Sequence, residues 1–497
     1  MNDIETTLME FSGAIDHNSA HLALILAAGH GKRIKSEKSK MLHTIWGRTS
    51  IERVARAVSI GLKTDNLVFV LGIKALEVLA AIPKNKNYLF VYQQDQLGTG
   101  HAVRIAFQNP QVATFPGTIY VFPGDIGLLS AQTVSNFAQS FDHCDDDMMV
   151  LTANYEGNSI DNYYGRIVRV PPSDASRTPI ESENSGKVVA IKEFKDIAAG
   201  DDHRLFSFNY HGRSIDFNKR ELLDINEFNT SIYAYRPHLL REYIYQIRSE
   251  NVQKENYLTD LIEIYNEKKR QVGAFTIHDP NQVLGFNNKS VLKQMENIHQ
   301  SKVYEQLKDI VTIESSEHFF IADEVVEQIL AMDREGKPLD IYIGMNVSIG
   351  PEVKLSRNIT IQKNSIFEGS IDIQSNVTIG ENCIFSNYPH QMIRIGEGTC
   401  LVGSCRIKGQ VTIGSACRIE SSVRLTGNDE FPVCLGDNVI IKGTSYIFGS
   451  IVESGVLIEH SVIRQKHVEA IQRKDGKIQP VRYILPLPEG MDSLRER

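Results

Sequence analysis

From Ile343 onward a large apolar residue recurs at every sixth position, a spacing that leaves few folds open. The series runs Ile343, Ile349, Leu355, Ile361, Phe367, Ile373, Ile379 and Phe385. Four extra residues intervene, and it resumes as Ile395, Leu401, Ile407, Ile413, Ile419 and Leu425. A second offset of four leads to Leu435, Ile441 and Ile447. Two positions before many of these rungs stands another apolar or small residue, such as Val347, Val377, Cys383, Cys405 or Cys417, and glycine often follows the rung. A helix repeats its face every ~3.6 residues and a strand every ~2, so neither produces this period. A solenoid does, if each coil is a triangle of three short strands with one hexapeptide per side. A parallel solenoid is therefore expected over 341–465, with loops projecting at 387–394 and 426–432. Its exposed ends require caps, which a helical linker at 292–340 and a tail at 466–497 are expected to supply.

Residues 20–291 have a different texture. Short β-rich apolar runs at 22–26, 67–71, 88–92, 119–122 and 148–153 alternate with helical spacing at 50–62, 100–107 and 130–141. Strands alternating with helices predict an α/β domain, its mainly parallel sheet covered on both faces. Two polar inserts, 171–186 and 198–218, read as surface excursions. Residues 1–19 form a polar extension with neither a basic start nor an apolar core, so they do not read as a signal peptide. The apolar run 22–28 is far short of the ~20 residues that span a bilayer. These features point to a cytoplasmic chain with no membrane partner. Net charge is -8 without a long basic run, which argues against nucleic acid as a partner. The six cysteines show no Cys-x-x-Cys pair and no zinc spacing. Five of them fall in the repeat, several as small core residues, and a reducing compartment fits them.

Chemistry concentrates at the ends of the early strands. Leu26-Ala27-Ala28-Gly29-His30-Gly31-Lys32-Arg33 follows the first run directly, with Lys40 shortly after. Amides of a two-glycine loop can cradle phosphates, and Arg33 and Lys40 supply fixed positive charge. A plain turn with two solvated cations accounts for the same residues. In 93–102, a strand ends at Gln93 and a glycine-flanked Thr99 opens a helix. The Gln93 amide carries both a donor and an acceptor, which suits a pyrimidine edge. The run Val121-Phe122-Pro123-Gly124-Asp125 brings a carboxylate to a strand's carboxyl end, the edge where open α/β sheets bind ligands. A hard oxygen there suits Mg²⁺, although a lone strand-end Asp is more often a cap.

Residues 26–47 resemble the signature of sugar-1-phosphate nucleotidylyltransferases, and within them bacterial N-acetylglucosamine-1-phosphate uridylyltransferases. The resemblance covers most of 20–291 and implies a Rossmann-like domain followed by a left-handed parallel β-helix. It implies transfer of a nucleotidyl group from UTP to a sugar-1-phosphate, N-acetylglucosamine-1-phosphate first among them, with Mg²⁺ as cofactor. It puts Leu26, Ala27, Ala28, Gly29, Gly31, Gln93, Gly98 and Thr99 on the nucleotide and makes Arg33 and Lys40 catalytic. Gly165, Glu193 and Asn229 fall on the sugar, and Asp125 and Asn287 on the metal. The stretch Asn256-Tyr257-Leu258-Thr259-Asp260 matches a further landmark near the sugar. Lys32, Ser39 and Gly127 depart from the family pattern. The acetyl-transfer motifs of the bifunctional enzymes, a Gly-His-x-x-Tyr-x-Gly-Asp context and an Asn-Tyr-Asp-Gly loop, are absent; Asn387-Tyr388-Pro389-His390 and His460 only echo them. Related hexapeptide helices form homotrimers, which is the assembly implied. Three readings stay open: this uridylyltransferase, a nucleotidylyltransferase for another sugar or triphosphate, and a catalytically impaired nucleotide-sugar-binding subunit.

Overall fold

The computed structural model describes residues 3–29, 31–158, 162–181, 184–201, 205–248 and 255–483. The chain divides into two units, 1–296 and 297–497.

The first unit is built on a nine-stranded mixed sheet. Its strands are β1 (His21–Ala27), β2 (Leu67–Leu71), β3 (Tyr88–Tyr92), β4 (Thr118–Pro123), β5 (Met148–Asn154), β6 (Arg166–Arg169) and β7 (Val188–Lys192), then, past a separate hairpin of β8 (Leu205–Tyr210) and β9 (Arg213–Asn218), β10 (Glu227–Tyr235) and β11 (Val272–Ile277). The main order is β11-β5-β10-β4-β1-β2-β3, with β6 joining β10 to β7. β4, β1, β2 and β3 run parallel, whereas β10 is antiparallel to both β4 and β5. β1 and β2 are apolar almost throughout because both faces are covered. Helices Ser50–Leu62 and Ala131–Asp142 pack Val54, Val58, Val134 and Phe137 into one core. Thr99–Phe107 and Asp260–Glu267 pack Val103, Phe107, Leu261 and Tyr265 into the core on the other face. Thr49 and Ser130 cap the first two helices by accepting from the Glu52 and Thr133 amides.

The insert at 198–218, expected as a surface excursion, is largely the β8–β9 hairpin, a two-stranded sheet separate from the main one with one exposed and one buried face. Along Leu205–Tyr210 exposed and buried residues alternate, so Phe206, Phe208 and Tyr210 share one face. With Ile215 they pack against Val168, Val189, Ile197 and Leu222 in a third core. The alternation of a half-buried strand was masked by the polar residues of the opposite face.

The second unit is a left-handed parallel β-helix of three all-parallel sheets with eight, eight and seven strands. Every rung of the six-residue series is buried, from Ile343 and Ile349 to Ile441 and Ile447, and so are Cys383, Cys405 and Cys417. All six cysteines are free thiols. Coil corners turn through left-handed residues such as Asn346, Asn364 and Asn382. Their side chains form a ladder, Asn346 Nδ2 to Asn364 Oδ1 and Asn364 Nδ2 to Asn382 Oδ1, both 3.1 Å. Two sheets begin with Thr312–Ile313 and Phe319–Ile321, between helices Lys289–Leu307 and Asp323–Asp333. Beyond Ile447 the buried rungs continue as Val452, Ile458, Ile463 and Val468, with five-residue steps breaking the period. The projecting loops meet: His390 Nε2 lies 2.7 Å from Asp429 Oδ2, and Gln391 Nε2 donates to Asp429 Oδ1 at 2.9 Å. His460 is a corner residue whose Nδ1 lies 2.9 Å from the Gly443 carbonyl oxygen.

Candidate active site

The loops after β1, β3 and β4 leave the carboxyl edge of the sheet and open a cleft of about 780 Å³. The chain order β3-β2-β1-β4 places it beside a topological switch, where loops after β1 and β4 part in opposite directions and leave a crevice. Leu26, Ala28, Gly29, Gly31, Arg33 and Lys40 line it from the first loop. Gln93, Gly98, Thr99, Asp125, Glu193, Asn229 and Asn287 line it from elsewhere in the unit. Ala27 and Gly165 do not reach this wall. Ala27 borders a small neighbouring void, and Gly165 stands behind Glu193, where a Cβ would lie 3.0 Å from Glu193 Oε1. His30 and the side chain of Lys32 fall outside the described residues.

Gly31 adopts φ 66°, a left-handed conformation that costs other residues. A Cβ there would come within 2.8 Å of Lys40 Cβ, so the bare glycine lets the loop close over the lysine stem. Lys40 is itself buried, and its ammonium donates to Asp125 Oδ2 and, at 3.0 Å, to Asn287 Oδ1. It also sits 5.5 Å from the centre of the Phe286 ring. Arg33 is exposed at the mouth of the cleft. Asp125 and Asn287 thus bring two oxygens to one small cation, the ammonium of Lys40. Gly285 keeps the ground beside them open, since a Cβ there would lie 3.3 Å from Asp125 Oδ2. This hard-oxygen donor pair fits Mg²⁺, which takes few protein ligands and completes its shell with phosphate and water. Among the described residues no group of three or more His, Cys, Asp or Glu is placed to hold a metal, and a site of one Asp and one Asn lies outside that pattern.

On the other side of the cleft the turn before helix Thr99–Phe107 is pinned to a distant segment. The Asn256 amide donates to the Leu97 carbonyl at 2.8 Å and the Gly100 amide to the Asn256 carbonyl at 2.8 Å. Thr99 Oγ1 accepts from the Leu258 amide at 3.0 Å, so this hydroxyl holds the segment in place. Gly98 has φ 103°, and a Cβ on it would meet the Asn256 carbonyl oxygen at 2.6 Å. Gln93 is buried, and its Nε2 donates to the Gly98 carbonyl at 3.2 Å and to His101 Nδ1 at 3.0 Å.

Asn229 lies where the pairing of β10 with β5 shifts register, a bulge that re-aims side chains. Its Oδ1 accepts from the Ser231 amide at 2.9 Å and from Tyr233 Oη at 3.0 Å, leaving the amide nitrogen as the group to present. Burial first, and Asp196 second, push the Glu193 carboxyl above the usual carboxylate range. A neighbouring cleft of about 990 Å³ shares Glu193, Tyr257 and Thr259 and adds Asp196, Asp260, Glu263 and Glu267. There burial, then Glu263, push Asp260 up to about 7.

Sequence reasoning missed Gln96, which lines the cleft and donates from Nε2 to the Ala28 carbonyl at 2.5 Å, tying the two loops together. It lay within the motif that held Gln93, but nothing local marked its partner. Tyr233 was missed as well, because a tyrosine in an apolar strand reads as core.

Residues 23–207 match the family described as the MobA-like NTP transferase domain. Over a longer stretch the chain is similar to proteins named bifunctional protein GlmU. That of Clostridium botulinum (strain Eklund 17B / Type B) is 29% identical over 402 residues, spanning 81% of this chain and 69% of its own. That of Streptococcus thermophilus (strain CNRZ 1066) is 28% identical over 447 residues, spanning 88% of this chain and 81% of its own. That of Streptococcus sanguinis (strain SK36) is 28% identical over 411 residues, spanning 82% and 76%.

Proposed function

We propose that this chain, whose residues 23–207 match the MobA-like NTP transferase domain, transfers a uridylyl group from UTP to a sugar-1-phosphate, N-acetylglucosamine-1-phosphate first among them. Nucleotidyl transfer is the class of chemistry to which that domain belongs. The finer reading draws on the signature at 26–47 and on the order of the later motifs. The observation that carries it is the meeting of Lys40 with Asp125 and Asn287 in a cleft that also holds Gly29, Gln93 and Glu193.

A sugar phosphate is already an anionic nucleophile at neutral pH, so the chain need not supply a base. Its oxygen attacks the α-phosphorus of the triphosphate; a new P–O bond forms as the α–β bridging bond breaks, and pyrophosphate leaves with the electron pair. The protein's work is positioning and charge neutralisation. The open amides near Gly29 and Gly31 hold the phosphate chain, Arg33 faces it from the mouth, and Lys40 offsets charge developing at the reacting phosphate. Glu193 and the Asn229 amide nitrogen orient the sugar hydroxyls, with Gly165 keeping room behind Glu193. Asp125 and Asn287 would hold Mg²⁺, which when bound supplies a Lewis-acidic counter-charge to the phosphates.

The assembly proposed is a homotrimer through the β-helix, whose outer surface carries exposed Val402, Ile440 and Ile451. Among the described residues no helix is long and apolar enough to cross a membrane, and a cytoplasmic location is proposed. The test is pyrophosphate release with UTP, N-acetylglucosamine-1-phosphate and Mg²⁺, beside an Asp125→Ala control. Release that disappears in the control supports the reading. Silence from folded protein across a panel of sugars and triphosphates sinks it and favours a binding subunit.

A further inference from the structure

We infer that His101, set behind the cleft wall, is a positioning residue that locks the Gln93 side-chain amide in one orientation and so selects a base with a ring imide N–H over one with a ring acceptor. The inference rests on the reading of this cleft as a pyrimidine nucleoside triphosphate site and adds to it the device that chooses between pyrimidines.

The argument starts from what Gln93 has left to offer. A side-chain amide carries two N–H donors and one carbonyl acceptor, and turning it over exchanges their places. In Gln93 both donors have partners, the Gly98 carbonyl at 3.2 Å and His101 Nδ1 at 3.0 Å. A backbone carbonyl only accepts, so the atom facing Gly98 is the nitrogen. The same nitrogen faces His101, which requires Nδ1 to be the bare ring nitrogen and puts the imidazole proton on Nε2. Among the described residues no group donates to Gln93 Oε1, and that oxygen is not among the enclosed polar atoms lacking a partner. Buried Gln93, on the cleft wall, therefore offers a base an acceptor and no donor.

Uracil presents an N–H at its ring N3, which this acceptor pairs. Cytosine presents a lone pair there and meets acceptor against acceptor. Reading cytosine requires the amide to turn over, which sets Oε1 against the Gly98 carbonyl and obliges His101 to move its ring proton from Nε2 to Nδ1. The Gly98 carbonyl imposes the larger part of this lock. His101 adds the cost of that proton shift, and unlike a backbone carbonyl it can be substituted.

The experiment measures calorimetric Kd values for UTP and for CTP, each with Mg²⁺, on the full chain and on His101→Asn and His101→Phe. Asn sets an amide oxygen near the position of Nδ1 and keeps the acceptor without the ring; Phe keeps the ring without an acceptor. Wild type is expected to prefer UTP by on the order of 10². His101→Asn should stay within about threefold of that ratio, and His101→Phe should lose about tenfold of it, through tighter CTP as well as weaker UTP. Melting temperatures confirm that each variant is folded, and a variant that fails to fold is replaced by His101→Gln or His101→Leu, which divide the same two properties. A ratio that survives in the Phe form, that follows ring bulk instead of the acceptor, or that is near one in wild type overturns the inference. Turnover is assayed separately, so a chain that binds UTP selectively yet releases no pyrophosphate defeats the catalytic reading and leaves the lock standing.

Discussion

Lys40 occupies the ground between Asp125 and Asn287, and this sets up a test that separates two of its roles. As a fixed cation near the reacting phosphate it should lower the barrier, and loss of one such contact typically costs on the order of 10²–10³ in rate. As the present partner of the two oxygens proposed for Mg²⁺, it would also compete with a divalent ion for them. Lys40→Ala should therefore reduce kcat by on the order of 10²–10³ while lowering the Mg²⁺ concentration for half-maximal turnover. An unchanged metal requirement would show that the ammonium and the metal do not share ground. Asp260 offers a second test, on stability. Its carboxyl is pushed up to about 7 from an ordinary value of 3.8, first through burial and then through Glu263. Because this pKa is raised on folding, the native state binds the extra proton between those two values, and stability falls as pH rises through that window. The loss is complete above about pH 7 and amounts to at most about 4 kcal/mol. Asp260→Asn should melt at a higher temperature than wild type at pH 8, with the gap closing toward pH 4. A gap independent of pH would put the effect in packing instead.

At the level of elements, much was legible because strand ends and helix caps write themselves locally. The run 22–26 anticipated β1, and Ser50–Leu62 begins after a capping Thr49 and ends at a left-handed Lys63. The β8–β9 hairpin was not legible, because its apolar partners, Val168, Val189 and Leu222, lie on separated elements. Its alternation makes sense only once that surface exists. If the third core holds the hairpin, Phe208→Ala should cost about 3–5 kcal/mol locally, and amide exchange across Leu205–Asn218 should accelerate while β1 stays protected. Uniform acceleration would mean that the hairpin is integral to the main core. The cleft was legible only in part, for the same physical reason. Glycines, the strand-end Asp and the Lys announce themselves by type and spacing, whereas Gln96 on the Ala28 carbonyl joins two loops and His101 reaches Gln93 from helix Thr99–Phe107, contacts that only the fold brings together.

At the level of the whole molecule, the two units store their stability differently. The α/β unit has non-local cores on both faces of a mixed sheet. The β-helix is quasi-one-dimensional, each coil packing on the next through rungs that were readable from a single period until the five-residue steps after Ile447. Such arrays unfold as sums of neighbouring coils, so a single melting temperature is not expected for this chain. Calorimetry should resolve more than one transition. A ligand that binds only the folded form stabilises it by about 2.7 kcal/mol at a hundred times its Kd. UTP with Mg²⁺ at that excess should therefore raise the transition belonging to residues 1–296, and at ~2.1 cal/mol/K of unfolding entropy per residue the rise is about 4 °C. The β-helix transition should stay where it was, because the residues assigned to nucleotide and metal all precede its first strand. A tryptophan reporter separates the two without ambiguity, since Trp46, buried in the first unit, is the sole tryptophan of the chain. Its fluorescence transition should move with UTP while the β signal of the coils does not. Should both move together, the coils would have to be energetically coupled to nucleotide binding, and the β-helix would be part of the enzyme's working equilibrium and not only its scaffold.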